Sequence, residues 1–176
     1  KGLNVTVEAC PHHFLLTDEE VLRSGTNAKM NPPLRSQSDR LAIIEGLKSG
    51  IIDAISTDHA PHDIASKEKP LEEASFGIVG VETMLTLSLS LYHDKILSLK
   101  DLLAKMTCNA AKIINFDGGE IKKGARADLT LIDLDKEWEI NPQDFYSKSK
   151  NSPFNGFKVK GKAIMTIVGG KIVYEL

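Results

Sequence analysis

The chain has 176 residues, of which 41% are hydrophobic and 26% charged, and its formal net charge is −2. These values are ordinary for a globular protein, so they exclude disordered and fibrous proteins. They also offer no basic face for nucleic acid or an anionic membrane, and every apolar run is far shorter than the ~20 residues of a transmembrane helix. Two cysteines in different local settings make no disulfide framework. We therefore expect a cytoplasmic protein that binds a small molecule.

The first predicted elements are a strand and a short helix. Residues 5–9 alternate apolar and polar side chains, which predicts a strand that ends at the CPHH motif. Thr17 and Glu20 have the spacing of a capping box, which predicts a helix that closes near Gly25. The paired prolines of NAKMNPPLR then favour an extended segment.

A longer helix and a second strand follow. Ser36 or Ser38 is the predicted first cap of the helix, and Gly50 is its predicted end. The apolar face of this helix is predicted to contain three residues, Leu41, Ile44 and Leu47. The apolar part of IDAISTDHAPH, residues 52–62, predicts a strand that is buried on both faces. The order strand, helix, strand is typical of a parallel sheet.

The polar segment HDIASKEKPLEEASFG is predicted to be a loop, and its length favours a functional role. Three helices are predicted after it, at about residues 81–93, at 99–106 with Ser98 as cap, and at 108–115 with Thr107 as cap. We expect His93 to be an exposed residue at a helix end.

The pattern changes to strands in the last part of the chain. ADLTLID predicts one strand, and KAIMTIVGGKIVYEL predicts two strands joined by a tight hairpin at Gly169 and Gly170. We therefore predict an α/β region over residues 1–117 and a small β module over residues 118–176.

Asp58 is the strongest candidate for a catalytic residue. It lies with His59 and His62 just past a predicted strand, where α/β barrels and open α/β sheets place their chemistry. A carboxylate there can bind a metal ion and accept a proton from water. By residue type alone, a structural role for Asp58, as a helix cap or in a loop ion pair, is about as frequent as a functional one. The nearby histidines, held by Pro61, favour the functional interpretation.

Two further groups of polar residues have weaker signals. Cys10, His12 and His13 are residue types that bind zinc. Adjacent histidines on a strand point to opposite faces, however, so a pocket-lining or structural role is the favoured interpretation. Asn31 and Arg35 flank two prolines, an arrangement that presents fixed hydrogen-bond donors to a ligand.

Five segments together resemble a known family. VTVEACPHHFLLTDEE, KMNPPLR, IDAISTDHAPH, FGIVGVET and GARADLTLID are similar to the bacterial single-chain dihydroorotases of the cyclic amidohydrolase superfamily. The resemblance covers essentially the whole chain, and KMNPPLR and TDHAPH are its specific motifs. It implies the C-terminal part of a (β/α)8 TIM barrel, followed by part of a small β-sandwich module. It also implies a zinc site and the interconversion of N-carbamoyl-L-aspartate and L-dihydroorotate in pyrimidine biosynthesis.

The resemblance implies roles for five residues. Asp58 matches the aspartate that binds zinc and acts as general base and acid. Asn31 matches the asparagine that hydrogen-bonds the substrate ring, and His62 matches the histidine that holds the substrate carboxylate. The backbone at Phe76 and Gly77 matches the loop that contacts the ring amide. The two histidines of PHH are not metal ligands in this family.

The resemblance also implies that much of the family's site lies before Lys1. The His-x-His motif, the other metal-binding histidines and the further residues for the substrate carboxylate are expected there. One or two zinc ions, a homodimer of the full-length protein and aspartate carbamoyltransferase as a candidate partner are implied as well. We expect residues 1–176 alone to bind zinc weakly and to lack this activity.

Two alternatives stay open. Enzymes that act on allantoin, dihydropyrimidines or hydantoins have substrates without a ring carboxylate, so they have no use for His62 or Asn31. A catalytically inactive homologue that serves as a scaffold for aspartate carbamoyltransferase could lose Asp58 without penalty. The presence of all three residues favours an active dihydroorotase.

Overall fold

Residues 3–176 are described here in a computed structural model of the chain. The α/β part contains two short strands and seven helices, in the order β1 (Glu8–Ala9), α1 (Pro11–Leu15), α2 (Glu20–Ser24), α3 (Gln37–Ser49), β2 (Ala54–Ile55), α4 (Ile64–Lys67), α5 (Met84–His93), α6 (Leu99–Met106) and α7 (Cys108–Ile113). The remaining strands are β3 (Leu129–Glu139), β4 (Lys158–Val168) and β5 (Lys171–Glu175). Short 3-10 helices lie at Gly25–Ala28 and Pro142–Asp144.

The strands β1 and β2 pair in parallel, with Glu8 opposite Ala54 and Ala9 opposite Ile55. The predicted strand–helix–strand unit is therefore confirmed, although each strand is shorter than its sequence pattern. Beyond the ladder, the Val7 carbonyl accepts hydrogen bonds from Asp53 and Ala54. A further parallel pairing joins His59 to Ile78, so the chain after residue 77 runs alongside the end of β2.

The helix α3 confirms its predicted ends. Ser36 caps it in a reciprocal capping box with Asp39, and Gly50 ends it in the left-handed conformation at φ 81°. On its predicted apolar face Leu47 is fully buried, but Leu41 is half exposed, so that face is narrower than predicted.

Two other caps differ from the prediction. The helix α2 ends at Gly25 as predicted. Its N-cap position is Glu19, however, and no side chain forms a capping hydrogen bond there, so the predicted capping box of Thr17 and Glu20 is wrong. Ser98 caps α6 as predicted. Thr107 occupies the N-cap position of α7 as predicted, but its hydroxyl donates to the Leu103 carbonyl of the preceding helix, so its side chain does not cap α7.

The region between β2 and α5 also differs from its prediction. The predicted loop contains α4, because the Asp63 carboxylate accepts from the Ser66 N–H and caps a helical turn. His93 is half buried rather than exposed, and its Nε2 atom is shielded without a hydrogen-bond partner in the described chain.

The last three strands form one antiparallel sheet in the order β3-β4-β5. Gly169 and Gly170 have φ values of 54° and 79°, which confirms the predicted tight hairpin between β4 and β5. A single sheet is seen over this part of the described residues, so the second layer of a β sandwich stays a prediction.

Two buried clusters hold the chain together. The first joins residues on both sides of the predicted boundary at residue 118: Leu16, Met30, Ile78, Ile140 and Phe154 are among them. The second surrounds β1 and β2 and includes Phe14, Leu47, Ile55, Leu89 and Leu102. The β module therefore packs directly on the α/β part. Within residues 3–176, no helix has both the length and the apolar character needed to cross a membrane.

Replacing Leu89 with Ala tests the second cluster. Leu89 is fully buried, so its truncation removes apolar contacts and leaves a cavity. We expect the free energy of unfolding in urea to fall by about 2–5 kcal/mol. Leu22→Ala is the control, because Leu22 is 91% exposed and its truncation should change stability by less than about 0.5 kcal/mol. Equal losses for the two variants would contradict the core assignment.

Candidate functional site

The candidate site lies where the ends of β1 and β2 meet. Cys10 follows β1, and Asp58 follows β2 three residues after Ile55. Because the strands are parallel, both residues lie at the same edge of the sheet. Burial raises the pKa of the Cys10 thiol, its hydrogen bond with Ser56 opposes this, and the negative charge of Asp58 adds to the increase. The loop that carries Asp58 is held to the end of β1, because the Ser56 N–H donates to the Ala9 carbonyl at 3.0 Å and the Ser56 hydroxyl bonds Cys10 Sγ at 3.2 Å.

Asp58 is available to a ligand. It is exposed, and its φ of 44° is in the left-handed region, which aspartate tolerates better than most residues. Across residues 3–176 its carboxylate caps no helix and forms no ion pair. The alternative roles considered from the sequence are therefore not the ones that the described structure gives to Asp58.

His59 connects the loop after β2 to the segment before α5. Its Nδ1 atom accepts from the Gly80 N–H at 3.1 Å and from the Val81 N–H at 3.4 Å. An acceptor carries no proton, so the neutral ring has its proton on Nε2. The Ala60 N–H also donates to the Ile78 carbonyl at 2.8 Å. His59 therefore has a structural role beside Asp58.

His62 reaches across to the next loop. Its Nε2 atom lies 2.7 Å from the Phe76 carbonyl oxygen, which can only accept, so Nε2 carries a proton. The Nδ1 atom is then the ring nitrogen left for a ligand. Phe76 itself is 55% exposed, and its N–H has no acceptor among residues 3–176. His62 and Phe76, both predicted site residues, are thus brought together.

Gly77 has no room for a side chain. It is buried with a φ of 117°, and a Cβ atom would lie 2.4 Å from the Ala60 Cβ. Its N–H donates to the Lys29 carbonyl at 2.9 Å, and its carbonyl accepts from Lys67 and Asn151, both at 3.1 Å. Both of its backbone groups are engaged within the protein. Of the predicted pair, Phe76 therefore supplies the N–H that is open to a ligand.

Asn31 is exposed and lies two residues after Lys29. Lys29 fixes this segment to the loop of Phe76, since its ammonium lies 4.3 Å from the centre of the Phe76 ring and donates to the Glu72 carbonyl at 3.1 Å. Arg35 forms an ion pair with Asp39 on α3 at 3.9 Å. The structure therefore links Asn31 to the Phe76 loop through Lys29, while Arg35 faces α3.

The CPHH motif has a different structure from its prediction. Pro11 begins the helix α1, so the two histidines are on a helix and the opposite-face argument for a strand is wrong. The ligand atoms of Cys10, His12 and His13 lie within 4.8 Å of one another, which is compatible with a metal ion. Two of them have other partners: Cys10 Sγ bonds the Ser56 hydroxyl at 3.2 Å, and His13 Nε2 bonds the Pro32 carbonyl at 3.0 Å.

His12 is the third member of this cluster. It is 2% exposed, and its Nε2 atom has no hydrogen-bond partner within the described residues. Burial, with a smaller contribution from His13, lowers the pKa of His12 to about 3, so the ring is neutral at pH 7. A neutral buried histidine packs as an apolar residue, which agrees with the favoured structural role.

Zinc sites in proteins use three or four ligand side chains. Asp58 fits one of these positions, because its exposed carboxylate is an oxygen donor of a type that zinc accepts.

Lys67 and Asn151 were not identified from the sequence. Lys67 is 5% exposed, and its ammonium donates to the carbonyls of Ser75 at 2.8 Å, Gly77 at 3.1 Å and Lys29 at 3.4 Å. Burial, with the charge of Lys29, lowers the pKa of Lys67 to about 8. A lysine in a polar segment and an asparagine before Ser-Pro have the composition of ordinary loops, so neither carries a local signal.

Replacing Gly77 with Ala tests the close approach of the two loops. The added Cβ would overlap the Ala60 side chain, so we expect a loss of stability about 1–3 kcal/mol greater than in Gly50→Ala. Gly50 is a matched control, because it also has a positive φ but has open space around its Cβ position. Urea unfolding measures both losses, and equal values would show that the loops are not in contact.

The sequence matches a known protein family over nearly its whole length. A model of the amidohydrolase family matches residues 3–173. The chain is 61% identical over 174 residues to the dihydroorotase of Wolbachia sp. subsp. Brugia malayi (strain TRS), and 54% identical over 175 residues to that of Geobacter metallireducens. Each alignment covers 99% of this chain but only 39% and 41% of the relative. The chain thus spans about two fifths of the length of these relatives.

Solved structures show the same fold. The L-hydantoinase (dihydropyrimidinase) from Arthrobacter aurescens superimposes with a TM-score of 0.93 at 33% identity, over 99% of this chain and 40% of that one. The dihydropyrimidinase from Brevibacillus agri NCHU1002 gives 0.91 at 23% identity with the same coverage, and at that identity it supports the fold alone. These similarities imply a TIM-barrel-like fold, of which the α/β part described here is a portion.

Proposed function

We propose that this chain, which belongs to the amidohydrolase family, is part of a dihydroorotase. Such an enzyme interconverts N-carbamoyl-L-aspartate and L-dihydroorotate, a step of pyrimidine biosynthesis. The main support is the Asp58 carboxylate, which has no partner within residues 3–176 and lies at the end of a buried parallel strand, on the same loop as His62. The sequence identity with dihydroorotases over the length of this chain supports the choice of substrate.

The reaction needs one group that moves a proton twice. Hydrolysis of the ring amide adds water, so the attacking water loses a proton and the departing ring nitrogen gains one. Asp58 is suited to accept the first proton and to deliver it to the nitrogen, because its carboxylate has no competing partner among the described residues. In the direction of ring closure, the same carboxylate takes a proton from the carbamoyl nitrogen and returns it to the leaving water.

The other proposed site residues orient the substrate. His62 holds the ring carboxylate through Nδ1 when that nitrogen also carries a proton, since Nε2 is engaged by Phe76. The exposed amide of Asn31 supplies hydrogen bonds to the ring, as does the Phe76 N–H, which has no acceptor in the described part of the chain. Such groups raise the rate by fixing the reacting amide near the base.

Asp58 is also the residue of this chain proposed to hold zinc, with one or two ions completed by ligands from other parts of the full-length protein. When bound, zinc supplies a Lewis acid for the ring carbonyl. We further propose a cytoplasmic homodimer, with aspartate carbamoyltransferase as a candidate partner.

A hydantoinase or dihydropyrimidinase is the second candidate, because the Arthrobacter aurescens enzyme has the same fold at 33% identity. Substrates of that kind lack the ring carboxylate that we assign to His62. Turnover of dihydroorotate against hydantoin and dihydrouracil distinguishes the two functions. Turnover of neither type would favour a catalytically inactive scaffold.

We expect Asp58→Asn to reduce turnover of both N-carbamoyl-L-aspartate and dihydroorotate by about a hundredfold or more, since an amide cannot take the proton. The measurement is steady-state kinetics on the full-length gene product that contains residues 1–176. Asp94→Asn, at the exposed end of α5, is the control and should retain activity. Near-normal turnover in Asp58→Asn would remove Asp58 from the catalytic role.

We expect His62→Ala to raise KM for both dihydroorotase substrates, because the substrate carboxylate loses its partner. Zinc content should be unchanged, because His62 is assigned to substrate and not to metal. Metal analysis of the purified variant checks this division of roles. Loss of zinc from His62→Ala would show that the residue is a ligand.

A further inference from the structure

Asn151 lies between the 3-10 helix at Pro142–Asp144 and β4, and it is 6% exposed. Its side-chain amide donates to the Ala60 carbonyl at 3.0 Å and to the Gly77 carbonyl at 3.1 Å, and it accepts from the His62 N–H at 3.3 Å. Its backbone carbonyl accepts from Val79 at 2.9 Å. The β module thus contacts both loops of the candidate site through one residue.

The bonding pattern of Asn151 points away from its own module. Both amide N–H groups and the amide oxygen bond to the two site loops. The neighbouring chain is anchored separately, because Phe154 is 1% exposed within the first buried cluster. A residue that only stabilised the module would direct its polar groups to the module. The segment that carries Asn151 is therefore packed into the core, while the Asn151 side chain forms three hydrogen bonds to residues beside the site.

These contacts fix the distance between the two loops. The His62 N–H and the Ala60 carbonyl flank Pro61, so Asn151 holds both sides of that turn. It also holds the Gly77 carbonyl, one residue after Phe76. The bond between His62 Nε2 and the Phe76 carbonyl is 2.7 Å, and a shift of about 1 Å between the loops would break it.

We propose that Asn151 is a positioning residue for substrate binding, and that it sets the relative positions of the His62 ring and the Phe76 N–H. This inference rests on the proposed function, because those two groups are the ones assigned to the carboxylate and the ring amide of dihydroorotate. The β module then contributes a residue that holds the site loops in place. Lys67 also donates to the Gly77 carbonyl, at 3.1 Å.

The test uses Asn151→Asp in the full-length gene product that contains residues 1–176. The substitution keeps the size and one acceptor, but it turns an oxygen toward the carbonyls of Ala60 and Gly77, which then lose their donor. We expect KM for dihydroorotate to rise about tenfold or more, with kcat within about threefold and zinc content unchanged. Asn155→Asp is the matched control, because Asn155 is exposed in the same segment, and its kinetics should be those of the wild type.

A second measurement separates positioning from stability. We expect hydrogen exchange at the amides of Ala60 and Gly77, the two residues whose carbonyls lose their donor, to be faster in Asn151→Asp than in the wild type. A lower melting temperature with unchanged KM and unchanged exchange would overturn the positioning role. If Asn151→Asp does not fold, Asn151→Ser takes its place, because it removes the amide donors to the Ala60 and Gly77 carbonyls without adding a charge. Unchanged KM and unchanged exchange in that variant would overturn the positioning role.

The outcomes for the two proposals are distinct. A wild-type protein without turnover of dihydroorotate would overturn the proposed function, and the exchange measurement would then still decide whether Asn151 holds the loops. A wild-type protein with turnover, together with Asn151→Asp that has normal KM and normal exchange, would overturn the positioning role alone.

Discussion

The parallel pairing of β1 with β2 is the constraint on which the site depends. Parallel strands end at the same edge, so this pairing brings the turn after Ala9 and the loop after Ile55 together. Both residues of β2 are buried and apolar, so the strand itself cannot carry polar chemistry. Functional groups must then lie in the loops beyond it, as they do at the C-terminal face of α/β barrels.

Loops without a regular ladder need other hydrogen-bond partners, and here side chains supply them. A buried ammonium or amide is costly unless its hydrogen bonds are satisfied. Lys67 meets three carbonyls, and Asn151 bonds both site loops with its whole amide group. His59 accepts hydrogen bonds from two backbone N–H groups before α5. These contacts fix the site before a ligand arrives, which reduces the ordering that binding would require.

The same fold serves relatives with different substrates, so the fold by itself does not select a reaction. The Arthrobacter aurescens hydantoinase has nearly the same backbone over this chain. Discrimination must come from side chains and from the positions that the loops give them, which is the part that the proposed function assigns to His62 and Asn31. The first buried cluster joins Ile140 and Phe154 of the β module to Ile78 before α5, which explains how the module can influence those positions.

Elements that depend on near neighbours along the chain could be predicted from the amino-acid sequence alone. The Ser36 and Ser98 caps, the hairpin at Gly169 and Gly170 and the place of Asp58 after a buried strand all rest on side chains a few residues apart. The rest of the candidate site depends on packing between distant parts of the chain. The roles of Lys67 and Asn151 depend on carbonyls that packing brings close, and no local pattern encodes such distant partners. The helix at CPHH was likewise not predicted. The alternating pattern of residues 5–9 suggested a strand that reaches the histidines, but a helix starts at Pro11 and packs against α3 and α5.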